Sequence, residues 1–333
     1  MTKTMRQALR KRGVTIIELV VVFAIMSILM GLLFPAVQQA RETARRAKCM
    51  NSIRQVTLAT AVYESINGRY PNGAEGAGEL SVIYAISPHL DMGVFTFKMD
   101  VDVSPFDPPN DVATASQPAL LICPTDYFVG KEDGKGWCNY HSNAGSWVWT
   151  EKRWDGFFGS ASEYEINGVT IPKLAHVTSS SIPDGLSNTV MFAEVVNGAG
   201  IGDGPKTKDD CMVCVMPPNQ DNIDRTQAQG FFLARDLLTS EIPLDGNWRW
   251  RGYPWTMGRI SRTWYNHLLP PNEPCWVPNY DFDLLVSPAT SFHVSGVNVT
   301  MGDGSGRYVH DSVDKSIWML LGIRDDGEAS LLP

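Results

Sequence analysis

Between Leu19 and Val37 the chain runs 19 residues without a charge, and at about 1.5 Å per helical residue such a run matches the ~30 Å hydrocarbon core of a bilayer. Beyond it the pattern narrows to a stripe. Ala36, Gln39, Ala40, Thr43, Ala44, Ala47, Met50, Ile53, Val56, Ala59 and Val62 recur at intervals of three or four, the period of one helix face. Asn67-Gly68 supplies a stop, with Pro71 just past it. The pattern therefore predicts one helix from Thr15 to about Ile66, ~78 Å long by the helical rise, half membrane anchor and half shaft. Pro35 removes a hydrogen bond inside it, making Gly31-Leu32-Leu33-Phe34-Pro35 the expected weak point.

After Gly68 the period shortens. Asp-Gly occurs seven times, at Asp133, Asp155, Asp184, Asp203, Asp245, Asp303 and Asp326, a dipeptide suited to the positive φ angles of tight hairpins. Trp147-Val148-Trp149, Trp248-Arg249-Trp250-Arg251 and Val297 to Met301 alternate as strands do, and Thr189 to Val196 is a further strand candidate. Ser312 is placed to cap a helix from Val313 to Leu321, with Trp318 on its apolar side. Four prolines between Val103 and Pro118 predict an exposed loop. Ile201 to Arg225 reads as another. Its Asp203, Asp209, Asp210, Asp221 and Asp224 match no EF-hand spacing, so a solvated acidic loop is favoured over a calcium site. The expected class is α+β: a long N-terminal helix, then a large β-rich antiparallel head with a short C-terminal helix.

Charge divides the chain. Lys3, Arg6, Arg10, Lys11 and Arg12 precede Gly13, and without them 23 basic residues face 36 acidic ones, a net charge of −13. So acidic a chain lacks the phosphate-neutralising charge of a general nucleic-acid binder, and no nucleic-acid partner is expected. Arg41, Arg45, Arg46, Lys48 and Arg54 cluster on the shaft, either snorkelling at the interface or meeting acidic heads of neighbouring subunits. The basic leader favours a cytoplasmic N-terminus and an exported head. Six cysteines suit an oxidising location, although they allow 15 complete pairings. Cys211 and Cys214 have metal-ligand spacing, but no second pair accompanies them, so a disulfide role is favoured and no metal or other cofactor is expected.

Glu18 is the one carboxylate inside the apolar run, five residues on counting from Val14. At membrane depth it needs a cation or must snorkel to the interface. The stretch Arg12-Gly13-Val14-Thr15-Ile16-Ile17-Glu18-Leu19 resembles the N-termini of type IV pilins and type II secretion pseudopilins. The resemblance implies cleavage between Gly13 and Val14 by prepilin peptidase, with methylation of the new N-terminus. It also implies that Glu18 neutralises the terminal amine of a neighbouring subunit during assembly, and that the helix bends or unwinds at Pro35 inside a filament. Implied segments are a leader over 1–13, an anchor over 14–37, a shaft over 38–67 and an exported head over 68–333. Implied partners are prepilin peptidase, identical or related pilin-like subunits and the inner-membrane assembly machinery.

Nine residues separate His293 from Asp303-Gly304. That spacing is similar to the His-x9-Asp-Gly signature of a prepilin-processed family abundant in planctomycetes, the domain of unknown function 1559. Cys49 to Gln55, Cys123-Pro124-Thr125-Asp126, Asp184 to Thr189 and Tyr265-Asn266-His267 agree with it. His293 is open to a catalytic or metal-binding role, but a strand feeding a hairpin needs the same spacing, so a structural role is favoured for His293, Asp303 and Gly304. No Ser-His-Asp arrangement, phosphate loop or dinucleotide fingerprint occurs, and no enzyme activity is expected. Trp248, Trp250, Trp255, Trp264 and Trp276 crowd one stretch. They form either an aromatic core or an exposed surface for polysaccharide or another solute. The two functions that follow are a structural pilin-like subunit and, as the alternative, a membrane-tethered binding module.

Overall fold

A computed structural model describes residues 15–90, 92, 99–127, 134–150, 153–166, 169–197, 211–217, 223–235, 243–248 and 250–327. Helix α1 runs unbroken from Ile16 to Asn67 through Pro35. Asn67 is its last residue and Gly68, at φ +71°, follows it in the left-handed conformation that ends helices, donating its N–H to Glu64 O at 2.8 Å. Contacts divide the chain into two compact units, residues 1–44 and residues 45–333. In the first, the described side chains from Thr15 to Arg41 are solvent-exposed. In the second, Cys49, Ser52, Ile53, Val56, Thr57, Ala59 and Thr60 form a buried stripe on α1.

Among the described residues the remaining α-helices and strands in chain order are β1 (Ala74–Glu75), β2 (Leu80–Ser81), α2 (Val82–Ile86), α3 (Asn110–Thr114), β3 (Tyr140–Asn143), β4 (Tyr164–Ile166), β5 (Val169–Ile171), β6 (Val190–Glu194), β7 (Cys211–Cys214), α4 (Arg225–Leu233), β8 (Pro243–Trp248), β9 (Trp264–Tyr265), β10 (Cys275–Pro278), β11 (Gly296–Met301), β12 (Gly306–His310) and α5 (Lys315–Leu321). The class is α+β, as the pattern predicts. Its sheets are mixed, however. The central one has the order β12-β11-β6-β3-β9 with β3 and β9 parallel, and a second has the order β10-β7-β8 with β10 and β7 parallel.

Ile53 and Val56 of α1 share a core with Tyr70, Phe157, Phe158 and Phe192. Thr57 and Thr300 join their hydroxyls at 2.6 Å, and the Arg46 guanidinium covers the Tyr308 ring at 4.5 Å. The last part of α1 is thus laid on the β11–β12 hairpin. On the other side of that hairpin, Trp318 of α5 packs in a cluster with Val297, Val299 and Val309.

Several expectations need correction. Trp147-Val148-Trp149 is a turn with all three side chains buried in one apolar cluster, and Trp147 Nε1 donates to Leu284 O at 3.1 Å. The strand expected over Trp248 to Arg251 ends at Trp248. The stretch from Ile201 to Arg225 is not one loop: β7 pairs inside it, and Asp224 caps α4 by accepting from Thr226 N at 2.6 Å. Asp203, Asp209, Asp210 and Asp221 lie outside the described residues. The loop expected from Val103 to Pro118 contains α3. The C-terminal helix is capped by Asp314, whose carboxylate accepts from Ser316 N and Ile317 N, and not by Ser312.

Candidate functional site

At the start of α1, Thr15 is the N-cap and Glu18 the third helical residue. Thr15 N donates to Glu18 Oε2 at 2.8 Å, Thr15 Oγ1 lies 2.9 Å from the same oxygen, and Glu18 N donates to Thr15 Oγ1 at 3.3 Å. This is a reciprocal capping box, which satisfies helix-end donors from both sides. The signal was present in the sequence as Thr-x-x-Glu at the edge of an apolar run. Glu18 is therefore occupied locally as well as offering charge. Gly13 and Val14 lie outside the described residues.

Inside the head, motifs far apart in sequence meet. Cys49 on α1 forms a disulfide with Cys123 across a separation of 74 residues. His293, just before β11, places Nε2 at 3.5 Å from Cys123 Sγ and 3.6 Å from Glu194 Oε1 at the end of β6. All four residues are buried, and their donor atoms lie within 4.8 Å of one another. Glu194 is held from behind by Asn298 of β11, whose N–H donates to Oε2 at 3.0 Å and whose amide Nδ2 donates to Oε1 at 2.9 Å. On the cysteine side, Cys123 N donates to Asn139 Oδ1 at 2.8 Å, while Asn139 Nδ2 donates to Asp126 Oδ2 at 2.6 Å. Glu194 had no signal in the sequence beyond ending an apolar strand, so sequence reasoning missed it.

The signature around His293 splits in two. The ring enters this cluster, whereas Asp303-Gly304 makes the β11–β12 turn: Gly304 sits at φ +84° with its N–H on Met301 O, and Asp303 Oδ1 accepts from Ser305 N at 2.8 Å. The second disulfide, Cys211–Cys275, joins register partners of β7 and β10 within an apolar cluster that includes Met212, Trp276 and Val277. It accounts for Cys211 without a metal.

Of the two readings of the aromatic stretch, core and exposed surface, the buried tryptophans favour the core, while the side chain of Trp248 lies outside the described residues. Trp255, Trp264 and Trp276 are 0%, 3% and 1% exposed, and Trp264 Nε1 donates inward to Gly73 O. Trp250 is half-buried, stacked on Trp137 at 6.4 Å and tilted against Tyr253 at 5.0 Å. These rings fill core space, since large flat side chains bury more area than any other type.

A family model described as "Protein of unknown function (DUF1559)" matches residues 38–316, a span that holds Cys49, Cys123, Glu194, His293 and Asp303. The chain belongs to the DUF1559 family. In this DUF1559 protein a second model, the prokaryotic N-terminal methylation motif, matches residues 9–34, which takes in Gly13, Val14 and Glu18. Three curated proteins named type II secretion system core protein G are similar over a shorter stretch. That of Pectobacterium carotovorum subsp. carotovorum is 32% identical over 79 residues, 24% of this chain and 51% of the relative. That of Klebsiella pneumoniae is 31% identical over 80 residues, 24% and 57% respectively. That of Dickeya chrysanthemi is 32% identical over 71 residues, 21% and 46%. The chain thus spans about half the length of the curated relatives it matches. No solved structure matches this DUF1559 protein.

Proposed function

We propose that this DUF1559 protein is a pilin- or pseudopilin-like structural subunit of a cell-envelope filament or type II secretion-type assembly. Prepilin peptidase cuts after Gly13 and the new N-terminus at Val14 is methylated. The first part of α1 then crosses the inner membrane once, and the head is exported. The observation that carries this proposal is the methylation-motif match over residues 9–34, which runs into an apolar helix whose described side chains are exposed from Thr15 to Arg41. A helix apolar all round has no water-compatible face and belongs in lipid. The similarity to proteins named core protein G of type II secretion supports partners of the same kind: related pilin-like subunits and inner-membrane assembly machinery.

Intact-mass measurement on protein extracted from native membranes tests the processing step. A mature chain beginning at Val14 with one added methyl group is expected, and a chain that still carries Met1 to Gly13 refutes it. Assembly is tested at Glu18 with two variants, because the capping box gives this residue two roles. Glu18→Gln keeps an acceptor for Thr15 N while removing the charge, and Thr15→Ala keeps the charge while removing the hydroxyl. If Glu18 sets register by charge, Glu18→Gln stops cross-linking between neighbouring subunits and Thr15→Ala does not. Normal cross-linking of Glu18→Gln removes the charge argument. No polysaccharide partner is proposed, since Trp255, Trp264 and Trp276 are buried in the core.

A further inference from the structure

A disulfide that serves only as a cross-link needs no ionisable neighbours. The Cys49–Cys123 bond nevertheless has a carboxylate and an imidazole buried against it, at 2% and 0% side-chain exposure. Burying a carboxylate is costly unless it is hydrogen-bonded, paired with a charge or bound to a metal. The spacing is informative too. Zinc bonds of about 2.0–2.3 Å in a tetrahedron set ligand atoms roughly 3.3–3.8 Å apart. His293 Nε2 stands 3.5 Å from Cys123 Sγ and 3.6 Å from Glu194 Oε1, both on that edge length and both longer than a short charge-assisted hydrogen bond. Asn298 fixes both oxygens of Glu194, as outer-shell partners do for ligating carboxylates. A narrow cleft lined by Cys123, Asp126, Asn139, Glu194, Thr290 and Ser291 reaches the cluster.

We propose that, when the Cys49–Cys123 bond is reduced, Cys49, Cys123, Glu194 and His293 bind one thiophilic divalent cation of the zinc class. The ion and the disulfide are then alternative clamps between α1 and the head. The exchange balances with a phosphine as reductant: the disulfide takes two electrons from the phosphorus lone pair and two protons from water, whose oxygen ends on phosphorus as the phosphine oxide. The two thiols then lose their protons as the cation forms two metal–sulfur bonds. His293 binds through Nε2 as neutral imidazole, and Glu194 through Oε1. Four protein ligands leave no open position, so the site is structural in kind.

The test uses the full mature chain in detergent, reduced with a trialkylphosphine under inert gas, freed of reductant and titrated with cobalt(II). One cobalt per chain is expected, with a thiolate-to-cobalt charge-transfer band and tetrahedral visible bands, both bleached by zinc. The oxidised chain should show neither. Cys211→Ala/Cys275→Ala should keep the bands, whereas His293→Ala and Glu194→Gln should lose them and Asn298→Ala should weaken binding about 10- to 100-fold. Absence of the bands in the reduced wild type overturns the proposal, as does their survival in His293→Ala or Glu194→Gln. Should those variants fail to fold, X-ray absorption on the reduced, cobalt-loaded wild type decides instead. Two sulfur and two nitrogen or oxygen neighbours support the site, and any other first shell overturns it.

Discussion

Helix α1 is one continuous element with two different surroundings. Ile25, Leu32 and Phe34 are 53%, 70% and 70% exposed, and apolar residues around them point in every direction. Thirty residues on, Ile53 and Val56 are 0% exposed within a one-sided stripe. The difference shows that the width of the apolar face, rather than its hydrophobicity, reports what a helix contacts: a full circumference suits lipid and a narrow stripe suits a protein core. Mutations that are equivalent in chemistry should therefore read out differently along the same helix.

The largest contrast comes from placing a charge on each half. Val56→Asp buries an unpaired carboxylate among Phe157, Phe158 and Phe192, and is expected to cost several kcal/mol and abolish the cooperative urea transition followed by tryptophan fluorescence. Ile25→Asp should leave that transition in place and weaken membrane insertion by roughly 2.5–3.5 kcal/mol, read by extraction from vesicles. If both changes unfold the head, the two-environment distinction fails.

Acid sharpens the contrast, because the groups that respond belong to the head. Burial pushes the imidazoles of His141 and His267 down to about 3. Burial pushes the carboxyl of Asp155 up to about 6, against the opposing bonds from Ser146 and the charges of Arg225 and Arg324. The unfolded chain protonates each histidine first, so as pH falls from about 6.5 toward 3 each one removes about 1.4 kcal/mol of stability per pH unit. Asp155 has the opposite sign. The folded chain protonates it first, so between about 6 and 4 it returns about 1.4 kcal/mol per unit. A net loss of about 1.4 kcal/mol per unit from these groups is expected over that window, measured as the urea midpoint against pH. Asp155→Asn should steepen the loss.

Smaller effects follow at the hairpin beneath the buried half of α1. Gly304→Val forces a β-branched residue to φ +84° and should destabilise the head by about 1 kcal/mol or more. Thr57→Val leaves the Thr300 hydroxyl without its bond from α1 and should cost about 1 kcal/mol in thermal unfolding. Thr43→Val, which removes only a local bond to Gln39 O on the exposed half, should fall within about 0.5 kcal/mol of the wild type. Equal effects of the two threonine changes would contradict the comparison.

What could be read from the chain follows the range of the forces involved. The extent of α1, its end at Asn67-Gly68, the strands at Val190–Glu194 and Gly296–Met301 and the turn at Asp303-Gly304 are set by local chemistry. Trp147 to Trp149 misled because alternation by residue type was not alternation by face; all three side chains are buried. Helix α4 was hidden by its polar start, where Asp224 looked like part of an acidic loop and is instead the N-cap. The capping box at Thr15 and Glu18 was legible but overshadowed by the charge of Glu18. The cluster around His293 was visible only as separate motifs, since nothing local states that Cys49, Cys123, Glu194 and His293 meet.

The Cys49–Cys123 bond also sets a load path. A subunit pulled by its head while its helix is held carries tension along the covalent chain, and in the oxidised protein that tension crosses from Cys49 to Cys123 without entering the segment between them, a sequence separation of 74. At about 3.5 Å per extended residue, roughly 250 Å of contour is kept in reserve. Stretching the oxidised protein cannot release that length, and stretching the reduced protein can.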